Sequence, residues 1–255
     1  MLAASELPAL LQQYYWPFVR MSALFLAAPI LGASTFPVRA RILLALGATV
    51  LIAPALPAVV PVDVLSVEGV LLGAQQVIIG FAMGFIVQLV FSAAVIAGQS
   101  LAMTMGLGFA MSVDPQNGVS VPVVSQLYVI LATLIFLSVD GHLMLVGVLA
   151  NSFNLLPVGL YAFRDTFALD IVMLGSQMFV TALMIALPAL TAVLLINLAF
   201  GVITRAAPQL NIFAVGFPVT IFAGFVFIFL SMPSVFSLFL NTFESGLIDA
   251  LSLVR

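Results

Sequence analysis

The chain has 255 residues, of which 64% are hydrophobic and 6% charged, with six arginines, no lysine and a formal net charge of −3. A soluble domain carries about 25% charged residues, so water cannot be the solvent for most of this surface, and a bilayer is the expected one. The few cations exclude a phosphate-neutralising patch and hence nucleic acid, and the absence of cysteine excludes zinc thiolates, disulfides and thiol nucleophiles.

Charges divide the sequence into six apolar segments, each long enough for a membrane helix of about 20 residues. The first eleven residues hold Glu6 and no basic residue, unlike the basic start of a cleaved leader, so the first apolar segment is expected to be retained. Segment one covers 14–34, with Tyr14, Tyr15 and Trp16 one turn before Arg20. Arg20 there either snorkels to the interface or pairs with an acid, Asp140 among the candidates. Segment two covers 41–60 and segment three 69–105. Segment four covers 121–150 and is interrupted by Asp140-Gly141-His142. Segments five and six cover 171–204 and 212–240. As one helix, segment five would extend about 50 Å, against a hydrocarbon core of about 30 Å. Such helices tilt, kink or project, and Pro188 and Pro233 offer bends. Apolar helix projecting into water needs other chains to cover it, which points to a subunit of an assembly.

Segment three carries Gly69-x-x-x-Gly73 and Gly80-x-x-x-Gly84, a spacing that lets helix backbones approach closely. Its Gln75, Gln76, Gln88 and Gln99 can bond across helices. These features fit an internal packing helix, a lumen-lining helix, or both. Arg205 to Asn211 (RAAPQLN) reads as a tight turn between two long helices, and Gly201, Gly216 and Gly224 allow close contact along that hairpin. The loops alternate to give two sides, with Arg39, Arg41 and Arg205 on one and Arg164 and Arg255 on the other. Three arginines against two place the first group in the cytoplasm and both termini outside. No separate soluble domain is visible, so 1–255 reads as one polytopic domain.

The most unusual stretch is 103–122, MTMGLGFAMSVDPQNGVSVP. Met103, Met105, Leu107, Phe109, Ala110 and Met111 are apolar, Gly106 and Gly108 disfavour regular helix, and Asp114-Pro115-Gln116-Asn117-Gly118 is turn chemistry. A Met- and Gly-rich break between two spanning helices looks re-entrant, and irregular backbone at membrane depth must be buried in protein or line a cavity. The same residues fit a buried connection whose methionines fill gaps. Asp140 and His142 fit either structural pairing or proton handling. No phosphate loop, nucleophile elbow or metal-spaced carboxylate cluster occurs, so neither catalysis nor a cofactor is expected. A stand-alone transporter or channel is the other class of reading, but it predicts an inverted repeat, and no internal repeat is evident.

Several runs resemble the FliR family of type III secretion export-gate subunits. They are Arg20 followed by APILG at 28–32, FPVRAR at 36–41, GFAMSVDPQNGVSVPVVSQLY at 108–128, the Asp140-Gly141-His142 break, and NLAFGVITRAAPQLNIFAVGFP at 197–218. The resemblance covers nearly the whole chain, and the DPQNG run is more similar to the flagellar than to the injectisome branch. It implies an all-α membrane protein of about six long, partly kinked helices. A FliP-like part at about 1–165 would contain the plug loop 103–122, and a FliQ-like hairpin would follow at about 166–255. It implies assembly with FliP and FliQ homologues, association with FlhB and FlhA homologues, and unfolded flagellar subunits as cargo. The location implied is the bacterial inner membrane at the flagellar basal body. On this resemblance 106–111 would plug the closed pore, the Asp114 to Gly118 turn would shape its base, and Gly201, Arg205, Gln209, Asn211 and Gly216 would face partners.

Overall fold

A computed structural model describes residues 7–57, 62–108, 111–113, 120–161, 163–206 and 212–253. Among them are seven α-helices: α1 (Leu7–Ala27), α2 (Val38–Ile52), α3 (Val67–Thr104), α4 (Val123–Ser138), α5 (Gly141–Leu155), α6 (Phe167–Ala206) and α7 (Ile212–Ser252). The chain is an all-α integral membrane protein. Apolar residues occupy every side of the long helices, as expected for helices surrounded by lipid or other helices. The described residues also include a short antiparallel pair, β1 (Met111–Val113) and β2 (Ser120–Pro122), which pairs Val113 with Ser120 and closes the loop between α3 and α4. The sequence reading expected a re-entrant loop there and no strands.

Among the described residues four spans are long and apolar enough to cross a membrane, namely Val38–Ala55, Val67–Thr104, Phe167–Ala206 and Val215–Ser252; α4 and α5 qualify only as a broken pair. The sequence reading counted six spans. The first of them, α1, falls short because Gln12, Gln13 and Arg20 dilute its apolar content. Those polar groups are used inside the protein. Gln12 Nε2 donates to the Val62 carbonyl at 2.7 Å and Gln12 Oε1 accepts from the Val62 N–H at 2.8 Å, while Gln13 donates to the Ala53 carbonyl. Segment four is two helices because Asp140 adopts a left-handed conformation, φ 55°, one that aspartate tolerates better than most residues.

The chain divides into two compact units that interleave along the sequence. Unit 1 comprises 1–89, 137–174 and 243–255, and unit 2 comprises 90–136 and 175–242. In unit 1, α3 begins at Ser66, whose Oγ accepts the Gly69 N–H at 3.0 Å as an N-cap. Further along, α3 lies directly on α1. A Cβ at Gly80 would strike the Arg20 carbonyl oxygen, and one at Gly84 would lie 2.6 Å from the Leu24 carbonyl oxygen. These two glycines of the four make the close helix contact, whereas Gly69 faces its own preceding loop at Asp63 and Val64. In unit 2, α3 and α4 approach at Gly98 and Ser125; the Ser125 hydroxyl donates to the Val95 carbonyl at 3.0 Å.

Candidate functional site

The end of α3 is the start of the Met- and Gly-rich loop, and its local structure follows from one glycine. Gly106 has φ 82°, which costs a residue with a Cβ but not glycine. Around it the Leu107 N–H donates to the Ala102 carbonyl at 2.8 Å and the Gly106 N–H to the Met103 carbonyl at 3.2 Å. That pair of bonds is a Schellman cap with glycine in the left-handed position. Helix α3 therefore stops at a defined point, and the loop leaves in a fixed direction.

The cap is held by the hairpin of α6 and α7. Asn197 Nδ2 on α6 donates to the Thr104 carbonyl at 3.3 Å, and the Thr220 hydroxyl on α7 lies 3.5 Å from the Met105 carbonyl. The Phe217 ring occupies the space a side chain at Gly106 would need, and a Cβ at Gly224 would lie 2.6 Å from the Met105 sulfur. Met105 is completely buried, while Met103, two residues earlier, is 58% exposed. Beside this contact lies a cavity of about 450 Å³ lined by residues that include Met103, Asn197, Phe200, Thr204, Gly216 and Phe217. None of the residues lining it titrates, so it offers apolar surface, hydroxyls and an amide rather than acid–base chemistry.

The sequence-predicted residues fall around this site unevenly. Gly201 and Gly216 line the cavity together with Met103, Met105 and Gly106. Gly201 has open space where a Cβ would stand, so it makes no close helix contact within the chain. Leu107 and Gly108 are half-buried, Met111 enters β1, and Arg205 is exposed at the end of α6. Phe109, Ala110, Asp114, Pro115, Gln116, Asn117, Gly118, Gln209 and Asn211 lie outside the described residues. Asn197, Phe217 and Thr220 were not singled out from sequence. For Thr220 alone the sequence held a hint, since Gly216, Thr220 and Gly224 recur every four residues, the spacing of one helix face, though that spacing does not say which of the glycines receives a side chain.

In unit 1, Arg20 neither snorkels outward nor pairs with Asp140. It is wholly buried. Its Nε donates to Gln76 Oε1 at 2.8 Å, Nη1 to the Ser152 hydroxyl at 3.0 Å and Nη2 to the Leu156 carbonyl at 3.1 Å. The guanidinium carbon sits 3.9 Å from the centre of the Phe153 ring, a cation–π contact that gains strength where water is absent. Every one of these partners is uncharged. Asp140 is exposed at the break, with its carbonyl accepting the N–H groups of Leu143 and Met144, and the His142 Nδ1 is buried without a partner. Among the described residues no cluster of His, Asp or Glu could hold a metal ion.

Comparison with known proteins adds an independent line. The family described as bacterial export proteins, family 1, matches residues 11–246. The chain is 41% identical to the flagellar biosynthetic protein FliR of Escherichia coli (strain K12) over 88% of its own length and 85% of that protein's. It is 30% identical to the FliR of Bacillus subtilis (strain 168) over 89% of its length and 88% of that relative. The FliR of Caulobacter vibrioides is 27% identical over 86% of this chain and 87% of its own.

Proposed function

The chain belongs to the bacterial export proteins, family 1, and on that premise we propose that it is a non-catalytic subunit of the flagellar type III export gate, forming part of the pore and its plug. Unfolded flagellar subunits would cross the bacterial inner membrane through that pore, at the flagellar basal body. The observation that carries this reading is the match to a family of export proteins across residues 11–246, with relatives named as flagellar biosynthetic proteins. The fold supports it through unpartnered apolar length. Helices α6 and α7 have 40 and 41 residues, about 60 Å each at 1.5 Å per residue, roughly twice a hydrocarbon core. Leu195, Leu198, Phe222 and Phe229 are exposed along them. A surplus of that size is best covered by neighbouring membrane subunits. FliP and FliQ homologues would supply them, with FlhB and FlhA homologues associated, and the hairpin from 166 onward would dock in the manner of FliQ while 1–165 would pack in the manner of FliP.

The plug in this reading is the loop beginning at Gly106. A gate must admit an unfolded chain and hold back ions at rest, and a hydrophobic constriction does this by dewetting. Met103, Leu107, Phe109, Ala110 and Met111 would supply the apolar seal, with Met105 buried against α7, and Asp114 to Gly118 would form its turn. The test of the assembly is co-expression with FliP and FliQ homologues followed by mass measurement in mild detergent. A complex containing all three subunits is expected. A chain that purifies alone, and conducts or transports alone, would overturn the proposal in favour of a stand-alone transporter.

A further inference from the structure

We infer that the C-terminal cap of α3 is a latch, with one face of α7 as its keeper and with Phe217 and Gly224 as the positioning residues. This rests on the gate reading and adds to it the contact that must open before the loop can move. The cap is not merely near α7. The Phe217 ring closes over Gly106 in the space that any other residue's Cβ would fill, and Met105 lies in the notch left by the missing side chain of Gly224. Thr220, one turn from each, approaches the Met105 carbonyl. Residues 217, 220 and 224 share a helix face, so a single displacement along α7 would free all three contacts together.

The latch is also built to open. Met105 is unbranched and flexible, so its side chain can leave the notch without breaking backbone hydrogen bonds. The cavity of about 450 Å³ beside the cap, bounded by Met103, Phe200, Thr204 and Gly216, gives the freed side chains somewhere to go. Releasing the α7 face should therefore leave the cap held, among the described residues, by the Asn197 bond from α6 to the Thr104 carbonyl.

A reversible bond tests this directly. The chain has no cysteine, and a Cβ at 224 would lie 2.7 Å from the Met105 Cγ, which brings the two Cβ positions into disulfide range. Met105→Cys with Gly224→Cys is expressed in cells with the complete gate, oxidised with copper phenanthroline, and then reduced. Export of a flagellar substrate is expected to fall at least tenfold on oxidation and to return on reduction, with the complex intact throughout. Export at the same rate with the bond formed would overturn the latch. If the reduced double variant does not export, Phe217→Ala decides: a severalfold rise in resting ion leak supports the latch, and a membrane as tight as the parent's overturns it. Deletion of 106–111 separates the two readings. A tight membrane in that deletion defeats the gate reading itself, whereas a leaky deletion beside an exporting crosslinked gate defeats only the latch.

Discussion

Arg20 Nε donates to Gln76 Oε1 at 2.8 Å, joining α1 to α3 across 56 residues of sequence, in a site where neither side chain has any exposed surface. A guanidinium in such a place is stable only while its N–H groups are occupied, since an isolated buried charge is very costly. The three neutral acceptors and the Phe153 ring replace the water that Arg20 loses. Because Ser152 and Leu156 belong to the end of α5, one side chain fixes three segments of unit 1 at once.

Gln76→Leu should therefore lower stability by about 2 kcal/mol, the usual cost of leaving a buried charged donor unpaired. Gln99→Leu on the exposed face of the same helix should change it little. Thermal aggregation midpoints of the purified protein in detergent provide the comparison. Equal midpoints for the two variants would show that the Arg20 cluster carries no stability.

The glycines of α3 separate in the same way. Gly84→Val should destabilise by about 1–3 kcal/mol through overpacking, because a Cβ there would already press on the Leu24 carbonyl oxygen at 2.6 Å and the Ala28 nitrogen at 3.0 Å. Gly175→Ala on α6 meets nothing within 4 Å and should be neutral or stabilising by up to about 1 kcal/mol through helix propensity. Abundance in the membrane after controlled expression reads both, and tolerance of Gly84→Val would count against the close α1–α3 contact.

Asp140 separates a backbone role from a proton role. Its φ of 55° suits Asn as well as Asp and suits a β-branched residue badly. Asp140→Asn should assemble and export like the parent, and Asp140→Val should cost about 1–2 kcal/mol through strain. The pH dependence of export is the deciding measurement. A fully assembled Asp140→Asn gate with a changed pH profile would assign proton handling to this carboxylate and reject the backbone role.

Orientation follows from arginine placement. The alternation of loops read from the sequence puts Arg39, Arg41 and Arg205 on one side and Arg164 and Arg255 on the other, and on that expectation the first group should face the cytoplasm. In a chain with no native cysteine, Thr166→Cys and Ala206→Cys should react with a membrane-impermeant thiol reagent from opposite sides. Labelling of both from the same side would rule out this arrangement.

Much of the fold was legible because membrane helices announce themselves by apolar length. Segment three was read as 69–105 and forms Val67–Thr104, and segment five was read as 171–204 and forms Phe167–Ala206. Segment six was ended at 240, yet α7 continues to Ser252. Glu244 and Ile248 are exposed while Phe243 and Leu247 are buried, so this end has an amphipathic pattern that apolar length alone does not detect. The site was harder to read. The break after Thr104 follows from glycine chemistry, but the partners of the cap lie 93 residues or more away. Nothing local distinguishes Gly224, which receives Met105, from Gly201, which meets open space. Arg20 was recognisable as an exceptional residue, but its neutral acceptors at 76, 152 and 156 were not, because sequence suggests opposite charge as the default partner and the fold supplied amide, hydroxyl and carbonyl instead.

The loop itself gives the most direct functional prediction. At rest its first residues are fastened, with Met105 buried and Gly106 under Phe217. Its far end is tied by the β1–β2 pairing of Val113 with Ser120. Between these ties the sequence supplies Leu107, Gly108, Phe109, Ala110 and Met111, apolar side chains on a backbone that two glycines make easy to bend. A dewetted constriction needs that composition, since a single hydrated polar group would let water and ions through. In the proposed gate, opening would displace a few apolar contacts, each worth on the order of 1 kcal/mol, which an entering apolar stretch of cargo could offset. Deleting 106–111 should leave α3, α6 and α7 in place and the complex assembled, because none of the three helices includes a deleted residue. The membrane of cells expressing the full gate should then become permeable to small ions and solutes. Conductance and solute uptake measure it. A tight membrane around a normally assembled complex would show that the loop is a buried connection whose methionines fill space.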